Sequence, residues 1–167
     1  MRNNTKRLTA LALSVSFALI LSFIESRIPA FVAIPGIKVG LANIAVIFVL
    51  YKLGIREAIV VSAVRVILVS MLFGSPVSLI YSICGAVLSL TVMVLIKKFT
   101  PLSEVTVSVS GGITHNIGQI AAASLMLGTN VVMYYLPFLL LSGTIAGTVV
   151  GVASGLLIKK VNIPDIK

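Results

Sequence analysis

Acidic side chains are nearly missing from this 167-residue chain: Glu25, Glu57, Glu104 and Asp165 are the whole set. No two lie within a helical turn of each other, so a metal-diphosphate site built from clustered carboxylates is excluded within the chain. Cys84 is the one cysteine and His115 the one histidine, too few for an internal disulfide, a zinc site or a Cys/His nucleophile pair. No catalytic residue, metal site or cofactor is expected, and the chain reads as not an enzyme. Tryptophan is absent, which leaves Tyr51, Tyr81, Tyr134 and Tyr135 to form an interfacial belt. Charged residues of either sign make up 10% of the chain, against about a quarter in an ordinary soluble domain. Charges so sparse cannot coat a soluble surface with a basic footprint, so the net charge of +9 does not point to nucleic acid.

What is abundant is apolar: 59% of the residues, with a mean hydropathy of +1.19. The sequence predicts an all-α integral membrane protein, a compact bundle of six transmembrane helices forming one domain over residues 1–167. The expected spans are approximately 8–24, 39–53, 57–73, 77–96, 105–127 and 131–158, separated by Gly, Pro, Asn and basic residues. The second is short, and Pro137 near the start of the last permits a kink or a shallow first turn. The first run is too long for a signal-peptide core, and Glu25-Ser26-Arg27-Ile28-Pro29 offers no small-x-small cleavage site.

Six spans place both termini on one side of the bilayer, and the basic residues say which. With the N-terminus inside, the inner segments carry Arg2, Lys6, Arg7, Lys52, Arg56, Lys97, Lys98, Lys159, Lys160 and Lys167, while the outer side has Arg27 and Lys38. The expected topology therefore has the N- and C-termini on the inner, cytoplasmic side. Arg65 is left over inside a span.

An ionisable group in hydrocarbon costs several kcal/mol unless it faces a cavity or a partner, so the polar residues at depth are the informative ones. Arg65 lies about eight residues past the inner end of the third span, roughly 12 Å in at about 1.5 Å per residue. His115 reaches a similar depth on the fifth span, with Asn116 beside it and Gln119 one turn further along the same face. Asn43 enters from the outer end of the second span, one turn below Lys38. One reading makes these side chains polar glue between helices. The other makes them a central site for a small anionic or richly hydrogen-bonding ligand, because no carboxylate is expected at the depth of Arg65 and its planar fork suits carboxylate and phosphate. The substrate-binding candidates are Lys38, Asn43, Arg65, His115, Asn116 and Gln119.

Small residues recur at four-residue steps in two spans: Ala10, Ser14 and Ala18 in the first, and Gly143, Gly147, Gly151 and Gly155 in the last. Such rows let helix backbones approach closely in lipid. The glycine row reads as packing within the bundle, and the first row as either internal packing or a docking face for a membrane partner. Residues 25–38, with Pro29, Pro35 and Gly36 among apolar side chains, read as a structured lid or an interfacial segment. Gly111-Gly112 reads as a close-approach point, or a local opening of the helix, rather than a phosphate loop.

Three segments together resemble a known bacterial family: Pro35-Gly36-Ile37-Lys38-Val39-Gly40-Leu41-Ala42-Asn43-Ile44, Arg65 followed by Phe73-Gly74-Ser75, and Gly112-Ile113-Thr114-His115-Asn116-Ile117-Gly118-Gln119. Tyr135-Leu136-Pro137 and Leu141-Ser142-Gly143 continue the match, with Val39 where leucine is usual. The family is the Gx transporter family, also labelled heptaprenyl diphosphate synthase component I. It is in turn similar to the substrate-binding S components of energy-coupling-factor (ECF) transporters. That resemblance implies a small-molecule pocket near the outer face, closed by the loop after the first helix. It also implies docking onto a transmembrane coupling subunit and cytoplasmic ATPases through Ala10, Ser14 and Ala18. The chain has no Gly-x-x-x-x-Gly-Lys-Ser/Thr loop to bind ATP itself. The second label implies a prenyl synthase catalytic subunit as partner; with Asp165 as its single aspartate, this chain cannot supply the magnesium sites of chain elongation. Uptake of a small polar or anionic molecule is the leading expectation, and a noncatalytic role in heptaprenyl diphosphate synthesis the alternative.

Overall fold

The computed structural model describes residues 2–27 and 40–161, with side chains from Thr5 onward. Among these residues the chain is entirely helical, with six α-helices and one short 3-10 helix: α1 (Arg2–Arg27), α2 (Asn43–Lys52), α3 (Ile55–Phe73), α4 (Pro76–Phe99), α5 (Glu104–Leu127), the 3-10 helix Val131–Tyr135, and α6 (Leu136–Lys160). Local chemistry sets the boundaries. Ser75 caps α4 in a reciprocal capping box with Ser78 ahead of Pro76, and the Ser103 side chain accepts from the Thr106 amide at the start of α5. Gly128, at φ 60°, ends α5 in the left-handed conformation that glycine adopts without strain. The last apolar run divides before Leu136-Pro137, where a 3-10 turn gives way to α6.

Three stretches are long and apolar enough to cross a membrane: Thr5–Arg27, Pro76–Phe99 and Val131–Lys160. The other three helices fall short for separate reasons. At ten residues α2 is about 15 Å long, half of a hydrocarbon core of about 30 Å, so the expected 39–53 span becomes a short helix preceded by a turn at Gly40. Helix α3 has the length but carries Arg56, Glu57 and Arg65. Helix α5 is longer still and is diluted at its middle by His115, Asn116 and Gln119. Polar residues that lower the hydropathy of a buried helix need a polar interior to face.

The helices pack in a ring, α1 beside α3, α3 beside α4, then α5, then α6, with α2 closing it against α6, α1 and α3. No residue of α2 is exposed. Matched contacts fix the helix directions. Arg7 of α1 is ion-paired to Glu57 of α3, and the Lys97 ammonium of α4 donates to the Leu50 carbonyl of α2, at one end of the bundle. Phe23 meets Phe73 with ring centroids 5.8 Å apart at the other end. The first end collects Lys6, Arg7, Lys52, Arg56, Lys97, Lys98, Lys159 and Lys160, whereas Arg27 is the one described Lys or Arg at the second.

The two halves differ in filling. Toward the basic end Val46, Ile47, Val49 and Leu50 of α2 pack with Ala58 and Val61 of α3, Met93 of α4, Val107 of α5 and Val150 of α6 in a continuous apolar core. Toward the other end the helices diverge around a cavity.

Candidate functional site

Close approach on one side of the bundle creates the room on the other. A Cβ placed on Gly111 would lie 2.6 Å from the Met93 sulfur of α4, and one on Gly112 would lie 2.6 Å from the Gly143 carbonyl oxygen of α6. Helix α5 is thus clamped between α4 and α6 through its glycine pair and stays helical throughout. Gly147 and Gly151 meet α5 in the same way, with Cβ positions 2.7 Å from the Cα atoms of Val109 and Val105. Gly155 has nothing within 4 Å of its Cβ position, so that member of the row packs against no other helix.

Between this tight face and α1, α2 and α3 lies a cavity of about 310 Å³, at the lower edge of the size range of small-ligand pockets. Five of the residues picked from the sequence line it: Asn43, Arg65, His115, Asn116 and Gln119. Lys38 and most of the 25–38 segment lie outside the described residues. His115 and Gln119 stand one turn apart on α5 over Gly85 of α4, whose Cβ position is 2.9 Å from His115 Cε1 and 3.0 Å from Gln119 Cγ. Asn116 has a structural task as well: its Nδ2 donates to the Leu139 carbonyl of α6 at 2.6 Å, tying α5 to α6.

Arg65 projects from the middle of α3 into this space. Its Nε is shielded from solvent and has no hydrogen-bond partner, and the same holds for Ser108 Oγ on α5. Both residues line the cavity. Buried donors are nearly always satisfied, so two orphans lining one cavity mark a place built to meet polar atoms from elsewhere.

Among the described residues no carboxylate stands at the depth of Arg65, but one reaches its cavity from the helix end above. Glu25, near the end of α1, lines the same cavity as Arg65. The two form no ion pair; the ion pair among the described residues is Arg7 with Glu57 at the basic end. Glu25 Oε1 accepts from the Gly40 amide at 2.6 Å, which holds the end of α1 against the turn leading into α2. Sequence reasoning passed over Glu25 as a span-end acid, although Ser14, Ala18, Ser22 and Glu25 follow one another at helical spacing and all but Glu25 are buried.

That stripe also corrects the docking face. Ser14 and Ala18 are buried inside the bundle, at 8% and 0% exposure, and Ala18 packs on Ala42 and Ala45. Ala10, whose carbonyl accepts from Ser14 Oγ, is half-buried, so Ser14 and Ala18 face the bundle interior and only the start of the row reaches the surface. The face α1 turns outward is apolar instead, with Leu13, Phe17, Ile20 and Ile24 exposed.

The cavity presents one guanidinium, one carboxylate, an imidazole, amides and hydroxyls, and no group of three or more His, Cys, Asp or Glu side chains able to hold a metal lies among the described residues. Nothing matches this chain among the curated proteins or among the solved structures. The family model described as heptaprenyl diphosphate synthase component I matches residues 14–157, a stretch that contains the whole cavity wall, and the chain belongs to that family.

Proposed function

We propose that the chain is a noncatalytic, membrane-embedded component that binds a small polar molecule and works with a prenyl synthase catalytic subunit in heptaprenyl diphosphate synthesis. The observation that carries the binding role is the polar cavity holding the orphaned Nε of Arg65 and Oγ of Ser108. The family description supports the association with prenyl synthesis. The carboxylates argue against catalysis in this chain, because Glu57 is spent on Arg7 at one end and Glu25 lines a cavity at the other. In this reading the bundle crosses a bacterial plasma membrane six times, α2 crossing with help from the residues before it, and the basic end with both termini is cytoplasmic. Adding the full-length protein to an inactive prenyl synthase catalytic subunit should restore long-chain product. An unchanged, inactive mixture removes the synthase role.

One observation favours a second reading as an S component for uptake, driven by a coupling subunit and ATPases. The cavity occupies the end opposite the basic residues, where a ligand arriving from outside the cell would enter. Because Ser14 and Ala18 are buried, such a coupling subunit has to dock elsewhere, and the basic end is the surface that faces it. Stable co-purification with coupling and ATPase subunits in mild detergent supports uptake; separation under those conditions removes it.

A further inference from the structure

The charges facing the cavity define what it can hold. Arg65 contributes a permanent positive charge and Glu25 a negative one, and among the described residues no other Lys, Arg, Asp or Glu lines it. The pair is left open by geometry. Glu25 Oε1 is committed to the Gly40 amide, while Oε2 has no hydrogen bond among the described residues. Arg65 Nε has none either, and Ser108 Oγ waits on the α5 wall. A multiply charged anion would gain Arg65 and be repelled by Glu25, in a setting where charges are poorly screened. A cation would meet the reverse. A molecule carrying both signs satisfies both walls and leaves neither charge alone. The rest of the lining sets the hydroxyls and amide of Ser22, Ser70 and Gln119 beside Val66, Val69 and Phe73, and a volume of about 310 Å³ suits a small molecule with a short apolar body rather than a long hydrocarbon tail.

We infer that the cavity takes a small zwitterion, its carboxylate on Arg65 and Ser108 and its cationic group on Glu25. This rests on the reading that the cavity is the ligand site, and it narrows that ligand to a class distinct from a free diphosphate. Glu25 is then a specificity residue that turns away simple anions.

The test uses the full-length protein in lipid nanodiscs and equilibrium binding of ω-amino acids from glycine to 6-aminohexanoate. Each is set against the diacid and the diamine of equal length, with inorganic diphosphate as a further probe. The wild-type protein should bind its best amino acid about tenfold more tightly than the matched diacid, the difference expected of one charge-assisted hydrogen bond. Glu25→Gln keeps an acceptor for the Gly40 amide and so preserves the fold. It should weaken the amino acid about tenfold and move preference toward the diacid. A wild-type preference for a diacid, a diamine or diphosphate overturns the inference and leaves the binding reading standing. Failure of every probe, with a folded protein shown by an intact thermal transition, overturns both.

Discussion

Glycine positions show how single residues set the shape of the site. Gly147 carries a backbone atom of α5 where its Cβ would be, at 2.7 Å from Val109 Cα, so a methyl group there must push α5 from α6. Gly155, two turns on, faces open space. Gly147→Ala should therefore destabilise the bundle by about 1–3 kcal/mol, the usual range for overpacking, while Gly155→Ala should cost nothing and gain up to about 1 kcal/mol from helix propensity. Thermal unfolding of the two variants in one detergent measures the contrast, and equal effects would contradict the packing described. The sequence showed an even row of four glycines; which of them touch a neighbour depends on where α5 ends relative to α6, and no spacing rule contains that. Glu25 was hidden for a related reason. An acid at the end of an apolar run looks like an interfacial residue until the helix face is traced back through Ser22, Ala18 and Ser14. Arg65, His115, Asn116 and Gln119 were legible because a polar group within an apolar run needs an explanation that an interfacial one does not.

At the scale of elements, α1 turns an apolar face outward and is held by a contact at each end. The cavity end uses the Glu25 bond to Gly40 and the Phe23–Phe73 contact; the basic end uses Arg7 with Glu57. This last pair is lopsided, since the Arg7 side chain is 46% exposed and that of Glu57 only 8%. Removing one partner strands the other, and only one of them is buried. Arg7→Gln should cost about 3 kcal/mol by leaving a buried carboxylate unpaired. Glu57→Gln, which leaves Arg7 in water, should cost at most about 1 kcal/mol. Denaturation midpoints for the two single variants check the asymmetry, and a larger loss for Glu57→Gln would refute it. Helix α2 was the element least legible in advance. Its run of apolar residues looks like a short span, and it folds as a ten-residue helix with no exposed residue because α1, α3 and α6 enclose it.

Across the whole molecule, basic residues and cavity occupy opposite ends of one antiparallel bundle, and this polarity gives the topology its test. In a Cys84→Ala background, a cysteine at Thr129 between α5 and the 3-10 helix should react with an impermeant maleimide on intact cells. One at Thr100, after α4, should react only once the membrane is opened. The reverse pattern would invert the orientation. Composition determined the membrane-type character of this chain, its continuous apolar runs of helix length, rather than the short alternating segments of a barrel, determined the helices, and the polar residues at depth followed from the cost of burying them. The tertiary structure decided which polar residues share a space, that Glu25 joins Arg65 there, and that Ser14 and Ala18 of the small-residue row of α1 face the bundle interior. These depend on how far each helix extends and which face it turns inward, and both are fixed by packing against neighbours distant in sequence.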